Sequence, residues 1–183
     1  HLSAVALAQN AMMFILMLAG RYREAQKNFH DGPFFLPRGM ELVDKTLGIV
    51  GLGASGTELA RRAKPFGMRI EAIDVRTIEK NVLDEIQPDF LGSPDDVDEM
   101  IARCDFLSCH LHLNDQTHHI IDARRIGLMK STAFYINVCR GGLADEDALY
   151  TALLEGRIGG AGLDAFATEP PDPTLAVFQL PNV

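Results

Sequence analysis

The chain has 183 residues and a formal net charge of −8, with 47% hydrophobic and 23% charged residues. That length supports one well-buried domain rather than two, and the composition excludes a chain too polar to fold. The acidic balance argues against unaided binding to nucleic acid or anionic lipid, which need a basic surface, and points to a small-molecule partner.

The most apolar stretch, residues 4–19, opens the chain and is interrupted by Gln9 and Asn10. It falls short of the about 20 residues that span a bilayer, and lacks the charged start and cleavage site of a signal peptide. Apolar and small residues run nearly all round it, which predicts a buried helix over about 3–20, packed on more than one side, with one side a candidate subunit interface. Residues 21–40 contain Gly32-Pro33 and Pro37, mix their charges and show no period, so they read as a connecting loop.

From Lys45 onward, short apolar runs alternate with amphipathic stretches, the pattern of a parallel sheet with helices on both faces. Strands are expected at 46–50, 68–74, 90–91, 105–111, 132–138 and 160–165. Ser93-Pro94-Asp95-Asp96 combines a capping serine, a proline in the first turn and carboxylates at the positive helix end, predicting a helix to about Cys104. Asp145-Glu146-Asp147 opens another acidic first turn, closed by Gly156, Gly159 and Gly160. Cys104, Cys109 and Cys139 form no CxxC pair and have no histidine at zinc-finger spacing. Neither a metal site nor a disulfide framework is expected, and a reducing cytoplasm fits best.

Gly51, Gly53 and Gly56 form a GxGxxG between the first strand and a helix-forming run. Gly51 permits the tight turn, Gly53 lets a pyrophosphate approach, Gly56 allows close helix packing, and the free N–H groups of the helix meet the phosphates. A GxGxxG alone is weak evidence against an ordinary glycine turn. Asp74, at the end of the next strand, stands where an acidic side chain accepts from the adenosine ribose hydroxyls, and its charge favours NAD over NADP. Arg76 keeps NADP open, since an arginine there can pair with a 2′-phosphate. The competing reading of Asp74 is a solvated strand-end carboxylate. The expected fold is α/β, a Rossmann-type doubly wound parallel sheet with helices on both faces.

Four later blocks occur in order: Asp105 to Leu111, then Met129-Lys130, then Ile136-Asn137-Val138-Cys139-Arg140-Gly141-Gly142, then Gly162 to Phe166 leading to Glu169-Pro170-Pro171. With the glycine loop they resemble the D-isomer-specific 2-hydroxyacid dehydrogenases, a family that includes phosphoglycerate dehydrogenase and glyoxylate reductase. The resemblance covers almost the whole chain. It implies an NAD-dependent oxidoreductase moving a hydride between the cofactor and a D-2-hydroxy or 2-oxo acid, and a homodimer formed through the opening helix. It also implies a second, discontinuous substrate domain that these residues do not include.

By resemblance, Arg140 binds the substrate carboxylate and its reacting oxygen, and Glu169 pairs with a catalytic histidine. In the family that histidine follows a Leu-Pro-Asn-Val stretch, and here residues 180–183 are that stretch, so the acid/base group is expected past Val183. Ala54 and Ser55 are implied at the pyrophosphate, Leu111 near the adenosine, Val138, Cys139 and Arg140 along the nicotinamide approach, and Asp164 at its carboxamide. Two departures stand out: Cys139 where the family usually has alanine or serine, and His112 where it commonly has proline. An exposed Cys139 thiol would make the site sensitive to oxidation. Bland readings remain beside these: a surface ion pair for Arg140, an exposed loop acid for Glu169, a structural role for His110, and solvent exposure for His118 and His119. Corepressors resembling the family retain Arg140 and Glu169, so an NAD(H)-sensing regulatory module is the alternative function.

Overall fold

The computed structural model describes residues 3–33 and 36–183; His1, to which the sequence assigns no role, lies outside them. Six strands form one sheet: β1 (Thr46–Val50), β2 (Arg69–Ile73), β3 (Phe90–Gly92), β4 (Phe106–Cys109), β5 (Phe134–Asn137) and β6 (Gly160–Leu163). Their order is β3-β2-β1-β4-β5-β6 and every pairing is parallel. Seven helices accompany them: α1 (Ala4–Ala19), α2 (Tyr22–Asp31), α3 (Ala54–Ala63), α4 (Lys80–Ile86), α5 (Val97–Arg103), α6 (Ala123–Ile126) and α7 (Glu146–Leu154). This is the doubly wound Rossmann order expected from the alternating pattern, with the direction of strand addition reversing at β1.

Parallel strands need crossovers that cover both faces of the sheet, so inner strands must be apolar on both sides. Accordingly β4 and β5 are buried at every position. Side-chain alternation divides the core in two. Leu47, Ile49, Ile70, Phe106 and Ile136 pack with Ala8, Ala11 and Ile15 of α1 and Leu59 and Ala60 of α3. Val50, Ile73, Leu107, Cys109 and Tyr135 pack with Met100 and Ile101 of α5 and Leu149 and Leu153 of α7.

The helix starts follow their capping chemistry. Ser93 and Asp96 form a reciprocal capping box, with Asp96 Oδ2 accepting from Ser93 N–H at 2.8 Å, before a short 3-10 turn leads into α5. Asp145 caps α7 by accepting from Ala148 N–H at 3.1 Å. Lys130 pairs with Asp105 at 2.9 Å, and Asp105 also accepts from Thr46 N–H at 2.9 Å, tying the start of β4 to β1 and to the turn before β5.

One expectation changes. Residues 21–40 are not all loop, because Tyr22–Asp31 is helical. None of its residues is buried, although Tyr22, Ala25 and Phe29 fall at helical spacing; good helix formers and the Arg21–Glu24 pair support it. The opening helix buries one stripe within the chain and leaves another apolar face open. Ala4, Ala8, Ala11, Met12, Ile15 and Ala19 are buried, whereas Val5, Met13 and Leu16 are exposed. Among the described residues no single helix is long and apolar enough to cross a membrane.

Candidate functional site

Strand register puts the expected site residues in one row. Ile73 of β2 pairs with Val50 of β1, Val50 with Cys109 of β4, Cys109 with Asn137 of β5, and Asn137 with Leu163 of β6. The residues that follow are Asp74, Gly51, His110, Val138 and Asp164. Neighbouring strands lie about 4.8 Å apart, so the row spans roughly 19 Å along the carboxyl edge of the sheet. A ligand of an open α/β sheet binds at this edge, where strand order reverses.

At the middle of the row, Gly51 adopts φ +97, a conformation in which a side chain is strained. The Leu111 side chain and His110 carbonyl close over it: a Cβ at Gly51 would lie 2.6 Å from His110 O and 2.8 Å from Leu111 Cδ2. Above Gly53 the space is open, with Arg76 Nη2 the nearest group, 3.6 Å from where a Cβ would stand. Helix α3 makes its first internal hydrogen bond from Thr57 N–H to Gly53 O at 2.9 Å. The N–H groups of Ala54, Ser55 and Gly56 precede that bond and have no acceptor among the described residues. Free N–H groups at a positive helix end, beside a glycine with room above it, fit a pyrophosphate.

Asp74 is not a solvated strand-end acid, since its side chain is only 5% exposed. Its Oδ2 accepts from Leu52 N–H at 2.8 Å, which fixes it to the glycine loop. Arg76 pairs with it, Nη2 to Oδ2 at 2.9 Å and Nε to Oδ1 at 3.0 Å. Burial pushes the carboxyl up, but hydrogen bonds and charge from Arg76, with help from Leu52 N–H, outweigh it and hold the group below the ordinary range. Asp74 is therefore ionised at neutral pH. A cleft of about 470 Å³ opens beside this pair, lined by Leu52, Gly53, Ala54, Arg76 and Ile78.

The other end of the row is built on Asn137, whose side chain the sequence did not single out. Its Oδ1 accepts from Cys139 N–H at 3.1 Å and its Nδ2 donates to Arg140 O at 2.8 Å, so one buried amide sets the Val138-Cys139-Arg140 turn. Val138 is buried, Cys139 half-buried and Arg140 exposed. The Arg140 guanidinium donates to Cys139 O at 2.6 Å and, among the described residues, meets no carboxylate. The surface ion pair considered for it is absent there, which leaves a charge free for an anion. Burial raises the Cys139 thiol and Arg140 only partly offsets this, so the thiol is not poised as a thiolate.

Gly141 brings the Arg140 turn against the loop carrying Glu169: a Cβ there would stand 1.9 Å from Phe166 C. Glu169 is exposed and accepts from Phe166 N–H at 3.2 Å, with no direct bond to Arg140. Asp164 is exposed, and Asn10 of α1 donates to its Oδ2 at 2.6 Å.

His110 is 7% exposed and bonded on both ring nitrogens, to Ser108 Oγ and Ser55 Oγ at 3.0 Å each. Burial pushes its pKa down to about 4, so the ring is neutral at physiological pH. His112, His118 and His119 are exposed, and His30 lies in the last turn of α2. A larger, mostly apolar cavity of about 760 Å³ lies away from the glycine loop, between the end of α1, α2, β6 and residues 178–183.

Fold and loop together define a dinucleotide-binding domain. Residues 12–183 match the family model for the D-isomer specific 2-hydroxyacid dehydrogenase NAD binding domain, and the chain belongs to that family. It is 40% identical over 171 residues to a D-3-phosphoglycerate dehydrogenase of Methanocaldococcus jannaschii, covering 92% of this chain and 32% of that one. Among solved structures, a D-lactate dehydrogenase from Aquifex aeolicus complexed with NAD and lactic acid superposes with a TM-score of 0.78 at 30% identity, covering 87% of this chain and 47% of that one. An acyclic imino acid reductase in complex with NADPH and D-arginine gives 0.83 at 28%, covering 98% and 56%. The chain therefore spans less than two thirds of the length of these relatives.

Proposed function

We propose that the chain is the cofactor half of a cytoplasmic NAD-dependent oxidoreductase acting on D-2-hydroxy acids and their 2-oxo counterparts. The observation that carries this reading is the single row along the sheet edge, with an ionised, anchored Asp74 at one side of the glycine loop and the unpaired Arg140 cation at the other. Bound NAD(H) supplies or accepts the hydride. The N–H groups of Ala54, Ser55 and Gly56 hold the pyrophosphate, Asp74 the adenosine ribose, and Asp164 the carboxamide. Leu111 packs by the adenosine, and the Val138-Cys139 backbone guides the nicotinamide. Arg140 binds the substrate carboxylate and its reacting oxygen through a permanently charged planar fork. Glu169 orients an acid/base histidine and favours its protonated form. Among the described residues no histidine bonds Glu169, which accepts from Phe166 N–H.

Calorimetry tests the cofactor assignment. NADH is expected to bind at one per chain and more tightly than NADPH, because the Asp74 carboxylate repels a 2′-phosphate. Asp74→Ala is expected to weaken NADH about tenfold, the scale of losing hydrogen bonds to a charged group. Failure of the wild type to bind either nucleotide overturns the reading.

The exposed Val5, Met13 and Leu16 on α1 support a homodimer through that helix. Met13→Glu, which puts a charge on that face, is expected to shift the protein from dimer to monomer in sedimentation equilibrium. A monomeric wild type would overturn the dimer.

A further inference from the structure

Ser108 and His110 stand two residues apart at the end of β4, on the same side of the chain. Ser108 is fully buried, and its hydroxyl lies 3.0 Å from His110 Nε2. The other ring nitrogen, Nδ1, is 3.0 Å from the hydroxyl of Ser55, in the first turn of α3. Three polar side chains thus form one chain from the sheet interior to the phosphate loop. The ring is neutral, so it carries one proton, on one nitrogen or the other.

The two tautomers are not equivalent. With the proton on Nε2, the ring donates to Ser108 Oγ, and the Ser108 hydroxyl hydrogen is left buried without an acceptor, since no other side-chain partner reaches it among the described residues. A buried donor without an acceptor is the costlier arrangement. In that tautomer Ser55 must also donate inward to Nδ1. With the proton on Nδ1, every group is used: Ser108 donates to Nε2, and Nδ1–H donates to Ser55 Oγ. The Ser55 hydrogen is then free to turn toward the open space above the helix end.

We propose that His110 is a positioning residue whose Nδ1-protonated tautomer, set by Ser108, directs the Ser55 hydroxyl to donate to the cofactor pyrophosphate. The inference rests on the dinucleotide reading above and adds a hydroxyl donor, with a fixed direction, to the backbone N–H groups of the loop. It gives the buried Ser108 a task although it touches no ligand, and explains why a polar pair interrupts an otherwise apolar strand end.

The test combines nitrogen-15 NMR of the histidine ring with calorimetry using ADP-ribose and adenosine. The wild-type ring is expected to show the Nδ1–H pattern, and Ser108→Ala a mixture of tautomers. Ser55→Ala should weaken ADP-ribose about tenfold and Ser108→Ala about threefold, with adenosine unchanged in both. A structural role alone would not separate the two ligands in this way. An Nε2–H ring in a wild type that binds ADP-ribose overturns the inference alone, as does Ser55→Ala binding ADP-ribose as well as the wild type. No binding of ADP-ribose by the wild type overturns the dinucleotide reading and this inference with it.

Discussion

Gly56→Ala is expected to raise the Kd for NADH at least a hundredfold and to lower Tm. A Cβ at Gly56 would stand 2.2 Å from Gly51 O and 3.1 Å from Ile49 Cγ2. The oxygen is backbone and cannot rotate away, so α3 must lift from β1 or the Gly51 turn must open. Either movement displaces the free N–H groups at the helix start. The packing cost is about 3 kcal/mol, the upper part of the range for an overpacked core, which corresponds to about 6–12 °C in Tm for a chain of this size. The measurements are NADH calorimetry and a thermal melt on the same sample. NADH affinity within threefold of the wild type would show that the loop does not hold the dinucleotide.

Gly141→Ala is expected to produce the opposite pattern of binding losses. Its Cβ would fall 1.9 Å from Phe166 C, 2.1 Å from Ala167 N and 2.4 Å from Phe166 O, all backbone atoms of the loop that leads to Glu169. The Arg140 turn and that loop must therefore separate, again at a cost of about 3 kcal/mol. The glycine loop lies two strands away, beyond β4, and is not forced to move. ADP-ribose affinity should stay within threefold of wild type, while binding of a 2-oxo acid to the NADH-saturated complete enzyme should weaken at least a hundredfold. Retention of 2-oxo acid binding would overturn the assignment of Arg140 and Glu169 to a shared substrate site.

The strands were legible because a parallel sheet buried on both faces demands short, continuous apolar runs, and residues 46–50 and 134–137 can serve little else. Their ends were read too long. Leu111 and Val138 look like strand residues by composition but lie past the ends of β4 and β5, where the chain leaves the sheet. Helix α2 was missed because its apolar positions, Tyr22, Ala25 and Phe29, are too few among polar neighbours to mark a period over 21–40, and none is buried. On the candidate site, the glycine loop and Asp74 could be read from local spacing, whereas Arg140, Glu169 and Asp164 needed the family resemblance. The positioning groups were out of reach. Asn10 meets Asp164 across 154 positions and Ser55 meets His110 across 55, and one sequence carries no record of which distant polar groups the fold will pair.

The bond from Leu52 N–H to Asp74 has a consequence for how readily nucleotide preference can change. On the function proposed above, one carboxylate both selects the ribose and pins, through Leu52 N–H, the loop that grips the phosphates. A substitution that admits a 2′-phosphate by removing the charge also frees the loop, unless the incoming side chain still accepts from Leu52. Routes toward NADP at this position therefore run through asparagine or serine rather than alanine or glycine, and Arg76, released from its partner, would already be in place to meet the new charge.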